Sequence, residues 1–151
     1  DVRYQYFRVD PGFKEDKWLK AAEILPSNRA VVHHVLVFVR EKGSFEGLEG
    51  ERGFLVGYVP GTRVGPYPEG LAKRIPAGSE LVFQVHYTPI GTPQDDLTKL
   101  GMIFAEPESI KYEVVTTSAV QVRLNIPPGE ANYQTAATTP EELPESELLL
   151  M

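Results

Sequence analysis

The chain has 151 residues, 42% of them hydrophobic and 24% charged, with a net charge of −6, no cysteine and three histidines. That length suits a domain able to bury most of its apolar surface, and the composition excludes an intrinsically disordered chain. Zero cysteine excludes disulfides, zinc fingers, iron–sulfur ligation and thiol nucleophiles. Nucleic acid is not an expected partner, because 15 basic against 21 acidic residues offer no cationic surface for phosphates. Nor is a membrane, since no run of about 18 apolar residues is present. The chain opens on Asp1 without a signal-like leader, and is expected to be a mature chain or an excised piece.

Glycine and proline, thirteen of each, make up about 17% of the chain against a typical sum of roughly 12%. They punctuate short apolar runs throughout, the pattern of an antiparallel β-sandwich or barrel. Arg3 to Val9 is rich in β-formers and stops at the turn signal Asp10-Pro11-Gly12. Lys17 to Ile24 leaves helix and strand both open: Ala21, Ala22 and Glu23 suit a short helix that Leu25-Pro26-Ser27-Asn28 would close. Ala30 to Arg40 is the most apolar stretch, and its continuous apolarity predicts a strand covered on both faces.

Glu41 to Gly53 reads as a charged loop, and Phe54 to Val59 as a strand closed by Pro60-Gly61. Thr62 to Gly78 carries Pro66, Pro68, Gly70, Pro76 and Gly78 and reads as an extended loop, with Lys73-Arg74 an isolated basic pair in it. Glu80 to Tyr87 is a second strong strand, followed by an acidic turn at Asp95-Asp96. Lys99 to Ala105, Ile110 to Thr117 and Ala119 to Ile126 are further strand candidates. An acidic, proline-bearing tail then leads into Leu148-Leu149-Leu150-Met151. The expected fold is a single all-β antiparallel β-sandwich domain of about seven to nine short strands.

All three histidines lie in the two most apolar strands, His33 and His34 side by side and His86 near the end of the other. Three imidazoles make a sufficient first shell for copper or zinc. The competing reading is three separate core histidines, each satisfied by its own hydrogen bond. Adjacent residues on a regular strand point to opposite faces. His33 and His34 can therefore share a metal only through a β-bulge, or by binding through different ring nitrogens. On the second strand, Leu81, Phe83, Val85 and Tyr87 are expected to face the core, and Val82, Gln84 and His86 the opposite side.

Val32-His33-His34-Val35-Leu36-Val37-Phe38 resembles the His-His-Met strand of the copper type II, ascorbate-dependent monooxygenases. This is the family of peptidylglycine alpha-hydroxylating and dopamine beta-monooxygenases. Leu81-Val82-Phe83-Gln84-Val85-His86-Tyr87 resembles that family's later Leu-Gln-Val-His-Tyr strand, and the likeness runs over residues 3 to 128, closest to bacterial relatives. The resemblance implies a jelly-roll-like sandwich in which His33, His34 and His86 are the metal ligands of the electron-transfer copper. It implies ascorbate or another external reductant, and export to the periplasm or beyond. It also implies a missing C-terminal domain carrying the catalytic copper. The expected division is therefore a copper-binding domain over 1–137, with an acidic linker and the truncated start of the second domain over 138–151.

Three departures stand beside the likeness: no disulfide braces the domain, Val35 replaces the motif's methionine, and no His-x-His occurs. No catalytic residue is therefore expected within this chain, which alone should bind and cycle copper without hydroxylating. Met102 could donate a thioether to Cu(I), but it alternates with Thr98, Leu100 and Phe104 and reads as core packing. Two other classes remain in play: a three-histidine zinc site of a hydrolase, and a metal-free β-sandwich interaction module.

Overall fold

Segments rich in β-branched and aromatic residues pair with one another across turns set by Gly, Pro, Asn and Asp. A computed structural model describes residues 3–44, 53–62, 64–121 and 123–139. Its strands are β1 (Gln5–Val9), β2 (Lys17–Leu25), β3 (Val32–Arg40), β4 (Phe54–Tyr58), β5 (Leu71–Ile75), β6 (Glu80–Tyr87), β7 (Lys99–Phe104) and β8 (Tyr112–Glu113). The described residues contain no α-helix, only a 3-10 turn at Pro107–Ser109, and no helix long and apolar enough to cross a membrane. The all-β expectation holds.

Two four-stranded sheets form, in the orders β1-β6-β3-β4 and β7-β2-β5-β8. All pairings are antiparallel except the short parallel contact of β5 with β8. One apolar cluster joins Leu19, Ala22, Ile24 and Ile75 from the second sheet to Val32, Val35, Val37, Leu55, Val56, Leu81 and Val85 from the first. The sheets thus bury their inner faces against each other, as apolar area removed from water requires. These strands belong to a compact unit ending at Thr116, and the chain from Thr117 onward is a second unit.

Strand β2 resolves the ambiguity over Lys17 to Ile24 in favour of β-structure. A register irregularity between Leu19 and Ala21, in the pairing with β7, separates Leu19 from Ala22 by three residues while both stay buried. That spacing imitates a helical period. At the head of β4, Gly53 has φ of +73°, and a Cβ there would collide with the Val39 carbonyl. Its own carbonyl accepts from Val39 N at 2.7 Å, so only glycine fits this close approach.

The expected loop over Thr62 to Gly78 is corrected: Leu71–Ile75 is a strand in the middle of the second sheet. Its flanking prolines and glycines, and its two cations, conceal it. Lys73 is buried there, not in a loop. It donates to the Phe54 carbonyl at 2.7 Å and to Thr116 Oγ1, with its ammonium 5.7 Å from the Phe54 ring centre. Arg74 points outward and donates to Asp16 at 2.7 Å.

Burial lowers the Lys73 pKa from 10.5 to about 8. Between those values the unfolded chain binds more protons than the folded one, so stability must rise with pH across that window. The full gain is on the order of 3 kcal/mol. Urea unfolding at pH 7.5 and pH 10 checks this, with Lys73→Met as a reference in which the rise is largely lost.

Two further expectations are corrected. Ile110 to Thr117 contributes only the two-residue β8, and Ala119 to Ile126 contains no strand among its described residues. Val120, Leu124 and Ile126 keep their alternation but remain more than half exposed. Most of the Glu41 to Gly53 loop, and all of 138–151 except Thr138 and Thr139, lie outside the described residues.

Candidate metal centre

Strands β3 and β6 are the inner pair of the first sheet, held by a long antiparallel register from Val32↔Tyr87 to Arg40↔Glu80. The register slips by one residue between Val32 and His34, so that His34 lies opposite His86 and His33 is the extra residue of a bulge. Val32 and Val35 are both buried, and the two histidines between them turn away from the core. A bulge bends its strand and re-aims side chains, which is how neighbouring residues come to share one side. On β6 the expected alternation is found: Leu81 and Val85 belong to the core, with Phe83 and Tyr87 packed against it. The sheet is covered at one end of the outer face, where Phe38, Arg40, Glu80 and Val82 are buried. At the histidine end it opens, with His33 exposed and His34 and His86 half-buried. The continuous cover expected of β3 is therefore limited to its C-terminal half.

His33, His34 and His86 form a group able to hold one metal ion. Nδ1 of His33 lies 3.0 Å from Nδ1 of His34 and 3.3 Å from Nδ1 of His86. Nitrogens sharing a four-coordinate ion with bonds of about 2.0–2.1 Å stand roughly 2.8–3.4 Å apart. The observed separations fall within that range. A neutral imidazole has one ring proton, so His33 Nδ1 can donate to one neighbour or accept from it, and cannot do both. A cation would engage all three lone pairs together, so the donor set fits a metal.

Burial, followed by the like charges His86 and His33 would carry, lowers the His34 pKa below its usual 6.5. At neutral pH that ring is uncharged, the form in which imidazole binds metal. No carboxylate oxygen joins the group among the described residues. Met102 packs against the core, as its alternation indicated.

Two supporting residues were not evident in the sequence. The Tyr4 ring contacts those of His34 and His86. Tyr4 stands in the β-forming run Arg3 to Val9, which names no neighbouring strand. Asp96 lies in the irregular segment between β6 and β7, and its carboxylate accepts hydrogen bonds from Ser27 N at 3.0 Å, Ser27 Oγ at 3.1 Å, Asn28 N at 3.1 Å, Thr98 Oγ1 at 2.7 Å and Tyr87 OH at 3.3 Å. It therefore ties the turn leading into β3 to the end of β6, at the end of the sheet that carries the histidines.

Burial alone would raise the Asp96 pKa, but the bonds from Thr98, Asn28 and Ser27 outweigh it and hold the carboxyl below 3.8. Its stabilisation is complete above the unfolded value and is lost as pH falls through the lower folded one. Asp96→Ala should cost roughly 1–3 kcal/mol at pH 7, because it leaves several donors without their acceptor. Thermal melts should show the gap between parent and variant narrowing once pH falls below 3.8.

The fold and the site together define an all-β protein with a three-histidine group competent for metal. Searches of protein-family models, curated proteins and solved structures returned no match to the chain.

Proposed function

We propose that His33, His34 and His86 hold one copper ion, and that the chain is the electron-transfer domain of a two-copper, ascorbate-type monooxygenase-like oxidoreductase. The observation that carries the metal reading is the convergence of three Nδ1 atoms at a bulge in the first sheet. The donor set favours copper over a hydrolytic zinc. It has three neutral imidazoles, and among the described residues no carboxylate joins them to act as general base. Copper bound there supplies one-electron oxidation and reduction.

The chain's own residues hold the ligands in place. Two ligands sit on β3 and one on β6, and the hydrogen-bonded ladder between the strands limits how far the set can spread. His34 resists protonation, so its lone pair stays available at neutral pH. His33 is exposed and gives an external donor an approach to the site.

The resemblance supplies the rest of the proposal. The donor is ascorbate or another external reductant, the partner is a second domain with the catalytic copper, and the location is periplasmic or extracellular in a bacterium. Neither nucleic acid nor a membrane is a proposed partner.

The test is metal analysis after purification with copper and zinc both supplied, followed by EPR. The proposal expects one copper per chain, a tetragonal Cu(II) signal with nitrogen couplings, and loss of that signal on adding ascorbate. Stoichiometric zinc with no EPR signal would favour the hydrolase reading. No stoichiometric metal at all would favour an interaction module.

A further inference from the structure

We infer that Tyr4 is a positioning residue of the metal centre, its ring packing against the imidazoles of His34 and His86 and fixing the planes in which their Nδ1 atoms point inward. This deepens the metal reading and rests on it for its consequence, though the ring packing itself needs no metal.

The register of the first sheet brings Tyr4 to this place. β1 pairs with β6 through Gln5↔Val85 and Tyr6↔Gln84, and one further step along the same ladder sets Tyr4 beside His86. Tyr6 and Gln84 mark the shared face, since Gln84 Nε2 donates to Tyr6 OH at 2.9 Å. The Tyr4 ring centre lies 5.1 Å from that of His86 and 5.6 Å from that of His34, with interplanar angles of 56° and 59°. The two imidazoles are themselves 5.1 Å apart at 55°. Three rings tilted against one another at these distances lie within the favourable range for aromatic pairs.

Metal-binding histidines are usually oriented by a hydrogen bond from the second ring nitrogen to a carbonyl or carboxylate. Among the described residues, none of the three Nε2 atoms has such a partner; the only hydrogen bonds of these rings are the Nδ1 contacts at His33. Something else must restrain the broad second torsion of each imidazole. Ring packing by Tyr4 does so for His34 and His86, while His33 is restrained by its contacts to both. The function belongs to the ring rather than the hydroxyl, so phenylalanine should replace tyrosine.

The experiment compares the parent with Tyr4→Phe and Tyr4→Ala. Tyr4 is 50% exposed and lies just before the edge strand β1, so both variants should fold, which circular dichroism checks. In metal-free protein, three-bond couplings across the Cβ–Cγ bond should report one ring orientation for His34 and His86 in the parent and in Tyr4→Phe, and averaging in Tyr4→Ala. With copper, chelator competition should show Tyr4→Ala weakened roughly tenfold or more, and Tyr4→Phe within about threefold of the parent. The Ala variant's Cu(II) EPR spectrum should broaden or split into several species.

Unchanged ring orientations in Tyr4→Ala would overturn the inference, as would a Phe variant that behaves like Ala. Failure of the parent to bind copper would instead sink the metal reading, leaving the couplings to decide whether Tyr4 positions the rings.

Discussion

Replacing His86 by Ala is expected to abolish stoichiometric copper binding, with affinity lowered by ~100-fold or more and little change in melting temperature. The ring projects from the outer face of β6, opposite the core residues Val85 and Tyr87, so its loss opens no cavity in the sandwich. What it removes is the one donor that comes from a different strand. His33 and His34 would remain as a neighbouring pair on β3, with Nδ1 atoms 3.0 Å apart. Two imidazoles on one strand cannot surround an ion as three do, and the second-strand ligand is the one that ties the ion to the ladder. Chelator competition, with EPR on the copper-loaded sample, reads the effect. A variant that still held copper with the parent's spectrum would remove His86 from the ligand set.

The complementary result is expected at Ile75. This side chain is fully buried on β5 and packs in the cluster that joins the two sheets. Truncation to Ala removes three buried carbons and leaves a void the rigid sheets fill only in part, at a cost of about 2–5 kcal/mol. Against a total stability of roughly 5–15 kcal/mol, that is enough to unfold a sizeable share of a marginal domain. Urea denaturation should show a lower midpoint at unchanged slope. Ile75 lies on the sheet opposite the histidines, so the copper affinity of the folded fraction should match the parent's. The two substitutions thus separate site from scaffold: one costs metal without stability, the other stability without metal.

The parts of this fold legible in the sequence are those where burial and alternation agree. Glu80 to Tyr87 is found with its expected bounds and faces, because every second residue is apolar and inward. The three histidines could be grouped because they crowd the two most apolar strands. Their shared side required a bulge, which the pairing displays. β5 escaped notice because Lys73 interrupts its apolar face, its ammonium being met by the Phe54 carbonyl and Thr116 from distant parts of the chain. The contribution of Tyr4 was hidden for a similar reason: it depends on β1 lying beside β6, about eighty positions away in the chain. Local pattern names an element, but its neighbours are set by tertiary pairing.

The bulge at His33 also gives β3 a parity. Downstream of it, inward positions fall on odd numbers, Val35 and Val37; upstream, Val32 is inward on an even one. The sequence therefore runs inward, outward, outward, inward, and the two outward places are both histidine. β2 carries the same phase break, where Leu19 and Ala22 bracket two positions left out of the core. In one strand the break only preserves packing, and in the other it doubles the ligands offered to one side. Deleting a single residue at 33 would restore even spacing and leave one histidine facing His86, so the site hangs on the length of the chain there as much as on its chemistry.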